Sequence, residues 1–289
     1  MSDGEGAPLG AARLPGGLTL RGLIPNAITA SALCSGLTGV RFAVTAASGG
    51  TIGAVPVAAR ILPFDDWQKA VLAVMLAGFL DGIDGRIARL LKAQSRFGAE
   101  LDSLADSISF GVAPALILFL WSLQDSPRLG WFAALAFALS AVLRLARFNA
   151  RIDMPDQPHK SAGYLTGVPA PLGAVLGLLP MYLWFATGDD RWRMPVIVGP
   201  WLVLNAFLMI SSVATFSWSA LRPRRRVRLE VIGLVALVFA ALISEPWLTL
   251  VGLSVVYVAL IPLGMFSYAR VRRQRDRRGP APVPDSDRA

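Results

Sequence analysis

Long apolar runs alternate with short charged segments along the chain, and this pattern sets the fold class before any single residue is considered. A helix needs about 20 largely apolar residues to cross a bilayer core about 30 Å thick. Eight runs meet or approach that length, near residues 24–47, 67–91, 98–123, 130–150, 166–187, 195–218, 229–244 and 247–268. The seventh is short, and Glu245-Pro246 behind it predicts a tight turn into the eighth. No internal repeat of fixed period is present. The ends break the pattern. Residues 1–22 carry Asp3, Glu5 and several Gly and Pro, and they read as a flexible lead-in rather than a signal peptide. Residues 269–289 are Arg-rich and then Pro-rich, which predicts a disordered tail. The expectation is an all-α, polytopic membrane helical bundle.

Composition sharpens this. Hydrophobic residues make up 54% of the 289 and charged residues only 16%, with a mean hydropathy of +0.55. A soluble domain carries about a quarter charged residues, so an ordinary water-soluble enzyme is excluded. The excess of 28 Lys and Arg over 19 Asp and Glu could suggest nucleic acid. The basic residues instead cluster between the apolar runs, as they do in chains that face an anionic membrane surface, and no nucleic-acid partner is expected. With the N-terminus placed in the cytoplasm, five basic clusters fall on that side. They are Arg13 and Arg21, Arg86 to Arg96, Arg144 to Lys160, Arg222 to Arg228, and the group from Arg270 onward. Arg191 and Arg193 are local exceptions, beside Asp189 and Asp190. The positive-inside rule then predicts both termini in the cytoplasm, in a bacterial inner membrane. The single cysteine, Cys34, excludes an internal disulfide and is expected to be a small buried side chain. The single histidine, His159, lies in a loop and gives no support to a His-based site. Trp67, Trp131, Trp184, Trp192 and Trp201 fall near run ends, as an interfacial belt would. The small residues from Ser31 to Gly39 suggest a helix-packing face or a dimer contact.

Charge inside an apolar run is expensive and points to function. Four acids stand out: Asp81 and Asp84 on the second run, Asp102 and Asp106 on the third. At 100° per residue, positions 81, 84, 85 and 88 share one helix face, and 98, 102 and 106 form an i, i+4, i+8 stripe. Antiparallel neighbours joined by a short basic turn would bring the four carboxylates together. Gly85, Ala88 and Gly98 lie on the same faces, where small residues allow close approach. Carboxylates so close cannot all stay ionised without cations, and oxygen-only ligands suit Mg²⁺, Mn²⁺ or Ca²⁺. Two such ions could clamp phosphate oxygens, with Arg89 one turn from Gly85 as a phosphate contact. An ion or proton pathway through a transporter also uses intramembrane acids. Periodicity leaves both readings open.

The spacing D-x2-D-G-x2-A-R-x8-G-x3-D-x3-D, running from Asp81 to Asp106, resembles the signature of the CDP-alcohol phosphatidyltransferase family at every fixed position. The resemblance implies a six-helix membrane core with a polar cavity open to the cytoplasm, usually as a homodimer. It implies transfer of a substituted phosphate from a CDP-linked lipid to an alcohol, with release of CMP. On this reading Asp81, Asp84, Asp102 and Asp106 ligate two divalent cations, Mg²⁺ or Mn²⁺, and Asp106 is also the candidate general base. Gly85, Ala88 and Gly98 make room for the nucleotide, and Arg89 touches the phosphates.

Further stretches resemble the phosphatidylserine synthase branch of that family. They are Asp102 to Ala115 (D-S-L-x-D-x3-F-G-x2-P-A), Arg144 to Asn149 (R-x-A-R-F-N), Gly167 to Pro171 (G-V-P-x-P) and Pro25 to Thr29 (P-N-x2-T). The resemblance implies CDP-diacylglycerol and L-serine as substrates, with Asn26 and Thr29 lining the nucleotide pocket; both could instead cap a helix end. Serine is a zwitterion, so Arg144 and Arg147 are candidates to clamp its carboxylate and Asn149 to face its ammonium. The arginines could equally be membrane anchors or hold lipid phosphate. Glycerol 3-phosphate, an inositol phosphate or choline remain alternative acceptors. The expected division is a lead at 1–22, a six-helix core at 23–218, a basic loop with an added two-helix hairpin at 219–268, and the tail at 269–289.

Overall fold

A computed structural model describes residues 20–50, 64–150, 164–211, 214–216 and 228–278. Most of the lead, the Arg222 to Arg226 cluster, His159, Arg151, Lys160 and the end of the tail lie outside these residues. The first described helix is α1, Leu20–Ala47, followed by α2, Asp66–Leu90. The third apolar run is divided into α3, Arg96–Asp106, a π-helical segment, Ser107–Val112, and α4, Ala113–Trp121. Then come α5, Pro127–Ala150, strand β1, Tyr164–Thr166, α6, Ala170–Gly177, and α7, Leu179–Thr187. The chain continues through α8, Pro195–Ile210, strand β2, Ala214–Phe216, α9, Arg228–Ser244, and α10, Pro246–Arg278.

The helices follow the expected apolar runs, with several differences. The fifth run is divided at Leu178, ahead of Pro180, into α6 and α7, and α10 continues to Arg278, ten residues into the stretch expected to be a disordered tail. The third run is not one continuous α-helix. Pro114 has no N–H, and its ring clashes with the carbonyl four residues back, at Phe110; widening the turn to π geometry, with the Ala113 amide donating to Ile108, relieves this. The sixth run ends its helix at Ile210 rather than 218, and the fifth begins at Ala170 rather than 166. Tyr164–Thr166, at the edge of the fifth run, and Ala214–Phe216, in the trimmed end of the sixth, pair as a short antiparallel ribbon with Leu165 opposite Thr215. Finally, Cys34 is exposed rather than buried; it points away from the side of α1 that packs on α2. Glu245-Pro246 does make the expected tight turn between α9 and α10.

Among the described residues, those up to Ala150 together with Pro169–Ile210 form one compact unit. Those from 164 to 168 and from 211 onward form a second, comprising the ribbon, α9 and α10. In the first unit α1 packs along α2, and α5 along α8. Lipid tails are as apolar as leucine, so helices in a membrane associate through close packing and interhelical hydrogen bonds rather than through hydrophobic burial. The small residues of α1 serve this purpose. The Ser35 hydroxyl donates to the Ala73 carbonyl at 2.8 Å, and Gly36 admits Ser109 so closely that a Cβ there would lie 2.9 Å from the Ser109 Cα. Within the Ser31 to Gly39 stretch, Ser35, Gly36 and Gly39 thus form a helix-packing face.

Four helical stretches among the described residues are long and apolar enough to cross a bilayer: Gly22–Ala47, Arg96–Trp121, Pro127–Ala150 and Ala170–Thr187. The helix α2 is as long but carries the acids, and α8, α9 and the apolar part of α10 are shorter. Leu37, Phe79, Phe132, Leu139 and Phe207 point outward, as do most apolar side chains of α9. Apolar surface on this scale is stable only against lipid, so the chain is an integral membrane protein.

Candidate active site

The acid-bearing ends of α2 and α3 are set by local structure. The chain leaves α2 in a Schellman turn, with the Ala93 amide donating to Ala88 at 2.9 Å and the Lys92 amide to Arg89 at 3.2 Å. Lys92 takes the left-handed position at φ 51°, where glycine is usual. Three residues later Ser95 caps α3, its hydroxyl accepting from the Gly98 amide at 3.0 Å. The eight-residue spacer of the motif is therefore the last turn of α2, a fixed turn and a helix start. It sets α3 back against the acids of α2.

Asp81, Asp102 and Asp106 come together, each offering a carboxylate oxygen within 4.8 Å of the others. Asp81 and Asp106 face each other within this group, an approach that two carboxylates can keep only by sharing a proton or taking a cation. All three are half-buried. Asp84 stands apart from this group. It is buried, and its Oδ2 accepts a 2.6 Å hydrogen bond from the Thr29 hydroxyl of α1. The four acids thus divide three to one, where the helical stripes alone suggest four equivalent ligands. Among the described residues the ion pairs are Lys69–Asp66 and Arg191–Asp189, and neither involves these four acids. Carboxylate oxygens grouped in this way fit a hard divalent cation.

Beside the acids lies a cavity of about 280 Å³. Its wall contains Asn26, Thr29, Gly85, Ala88, Arg89 and Gly98, which are the six residues expected at a nucleotide and phosphate pocket, together with Asp84 and Asp102. Asp102 belongs both to the cavity and to the three-acid group. The two glycines do different work. A Cβ on Gly85 would meet nothing within 4 Å, so Gly85 keeps the cavity open. A Cβ on Gly98 would lie 2.9 Å from Asn26 Oδ1, so Gly98 makes room for that side chain. Since α1 begins at Leu20, Asn26 and Thr29 lie inside the helix, and the capping alternative for them falls away.

The candidates on α5 are placed differently. Arg144, Arg147 and Asn149 do not line this cavity. The two arginines are half-buried, and Asn149 donates through Nδ2 to the Ser103 hydroxyl at 2.8 Å, one residue from Asp102. Pro25, from the same opening motif as Asn26 and Thr29, also lines the cavity; sequence reasoning missed Ala93, Gln94, Ser95 and Ala99, which line it too. The fixed length of the motif's spacer was the available signal, since a turn of constant length beside a site is itself a wall of that site.

Comparison with known proteins agrees with this geometry. The family model for CDP-alcohol phosphatidyltransferase matches residues 22–218, which include every acid and every cavity residue. The chain belongs to the CDP-alcohol phosphatidyltransferase family. A second model of that family, CDP-alcohol phosphatidyltransferase 2, matches residues 226–262, over α9 and the first half of α10. Among curated relatives, the CDP-diacylglycerol–serine O-phosphatidyltransferase of Mycobacterium tuberculosis is 34% identical over 248 residues, covering 85% of this chain and 79% of the relative. The protein of the same name from Helicobacter pylori is 29% identical over 75% of this chain and 81% of the relative. That from Saccharomyces cerevisiae is 41% identical over 38% of this chain and 41% of the relative.

Proposed function

We propose that this protein transfers the phosphatidyl group of CDP-diacylglycerol to the hydroxyl of L-serine, giving phosphatidylserine and CMP. The observation that carries the reading is the cluster of three acids, opening through Asp102 into a cavity walled by the family motif. The name shared by relatives along most of the chain supports serine as the acceptor.

In this reading Asp81, Asp102 and Asp106 hold one divalent cation, Mg²⁺ or Mn²⁺, and Asp84 with Asp102 a second. When bound, such ions would neutralise negative charge on the oxygens of the pyrophosphate, making the lipid-side phosphorus easier to attack. Gly85, Ala88 and Gly98 leave space for the nucleotide, Asn26 forms part of its wall, and Arg89 faces its phosphates. Asp106 takes the proton of the serine hydroxyl as that oxygen bonds to the lipid-side phosphorus. The bond from that phosphorus to the bridging oxygen breaks, and CMP leaves with the electron pair. Arg144 and Arg147 supply cations for the serine carboxylate. Asn149, held on Ser103, is available to the ammonium through its carbonyl oxygen.

The catalytic core is residues 23–218, and the hairpin that follows has a structural role. The protein sits in a bacterial inner membrane as a homodimer with both termini in the cytoplasm, an orientation supported by the basic clusters between its apolar runs.

The test is CMP release from CDP-diacylglycerol by the purified protein, with Mg²⁺ or Mn²⁺ and a panel of alcohols. Release driven by L-serine and lost in Asp84→Ala is the expected result. Release driven by glycerol 3-phosphate, an inositol phosphate or choline would keep the chemistry and overturn the acceptor.

A further inference from the structure

We propose that Thr29 is a positioning residue for Asp84. Its hydroxyl fixes one carboxylate oxygen so that the other is presented to a divalent cation at the cavity wall. The inference rests on the reading of the acids as a cation site and assigns α1 a part in it.

Thr29 and Asp84 are each only 5% exposed, and they meet across two helices, 55 residues apart in sequence. At 2.6 Å the contact lies in the range of a hydrogen bond to an ionised oxygen. The Thr29 hydroxyl also lies 3.1 Å from the Pro25 carbonyl, but it has one hydrogen, and the shorter contact to Asp84 takes it. Asp84 is the acid that stands outside the three-carboxylate group. Its Oδ2 is drawn toward α1, while Asp84 and Asp102 remain together on the cavity wall. A buried carboxylate with one oxygen pinned loses the freedom to turn away from an ion. Threonine suits the task because branching at Cβ restricts its rotamers in a helix.

Outer hydrogen bonds to metal-binding carboxylates typically govern about 10–100-fold in metal affinity. The experiment measures Mn²⁺ binding by electron paramagnetic resonance on the full-length protein in detergent, alongside kcat and KM. It compares wild type, Thr29→Val, Thr29→Ser and Asp84→Ala. Thr29→Val, which keeps the shape but loses the donor, is expected to weaken by about 10–100-fold the Mn²⁺ class that Asp84→Ala abolishes. The Mn²⁺ needed for half-maximal CMP release should rise by the same factor, with the KM for L-serine unmoved. Thr29→Ser, which restores the hydroxyl, should recover the affinity. Wild-type Mn²⁺ binding in Thr29→Val, with loss in Asp84→Ala, would overturn the role of Thr29. Equal binding by wild type and Asp84→Ala would overturn the cation reading itself. Should Thr29→Val give no cooperative melt, Thr29→Ala against Thr29→Ser decides: loss confined to the alanine variant supports the proposal, and equal affinity overturns it.

Discussion

The two ends of α2 handle charge in opposite ways. At its first turn, Trp67 and Trp184 flank the Arg193 guanidinium, each with its ring centre 5.9 Å away. The Arg193 Nε donates to the Trp121 carbonyl at 2.8 Å, and the Ser122 hydroxyl donates to the Arg193 carbonyl at 2.6 Å. Trp184 donates to Asp190, and Arg191 grips both oxygens of Asp189, holding that carboxyl below the usual carboxylate range. Asp65 closes a capping box with Gln68. Every charge named here has a partner of opposite sign, a dipole or an aromatic face. Some 14 residues further along, about 21 Å at 1.5 Å per residue, the partners of Asp81 and Asp84 among the described residues are other acids and one threonine. The comparison separates structural from functional charge by their partners. The first end is complete within the chain, whereas the second is a group of acids that could hold a cation from outside it.

Substitutions at the two ends should therefore differ in sign as well as size. Asp102→Ala, which removes the acid shared by the cavity and the cluster, is expected to lower kcat for CMP release about 10³-fold or more, equivalent to several kcal/mol of lost charge stabilisation. In cation-free buffer the same variant should melt higher than wild type, because a like charge has been removed; a lower melting temperature would contradict the comparison. Arg193→Ala should do the reverse. It strands the Trp121 carbonyl and empties the space between two indoles, costing about 2 kcal/mol of stability, while turnover per folded molecule is retained. Chemical denaturation and an activity assay on the folded fraction check both halves.

The cavity offers a finer contrast. Gly85→Ala places a methyl group in open space, so its melting temperature should hold while the KM for the CDP-lipid rises about tenfold. Gly98→Ala presses on Asn26 instead, and should lower stability along with activity. The smallest effect is expected at Lys92. Relieving its left-handed backbone with Lys92→Gly should add up to about 1 kcal/mol of stability and leave CMP release unchanged, since Lys92 does not line the cavity.

Much of this was legible in the sequence, for physical reasons. Membrane helices announce themselves through length and apolarity, because backbone groups in lipid must be satisfied within each segment. The stripe of Gly98, Asp102 and Asp106 held because it lies wholly in α3, before the π-helical segment changes the register. What stayed hidden depends on contacts across helices. No periodicity in α2 tells that Asp84 differs from Asp81; the difference is made by Thr29, 55 residues earlier. Arg193 looked like an exception to charge bias, yet it is an anchor whose partners come from α2, α4 and α7. The ribbon at Leu165 and Thr215 escaped notice because strands of three residues at the ends of apolar runs are too short for a period-two pattern to stand out.

The central claim, that the acid end of α2 is completed by a divalent cation, is tested most directly by the melting temperature of the purified protein against Mn²⁺ concentration. A ligand that binds only the folded state stabilises it in proportion to the logarithm of its concentration above Kd. Wild type should therefore gain several degrees with Mn²⁺ and lose them on chelation, while Asp102→Ala should start higher and gain nothing. A wild-type protein whose melting temperature ignores Mn²⁺, or an Asp102→Ala variant that responds as strongly as wild type, would contradict the account.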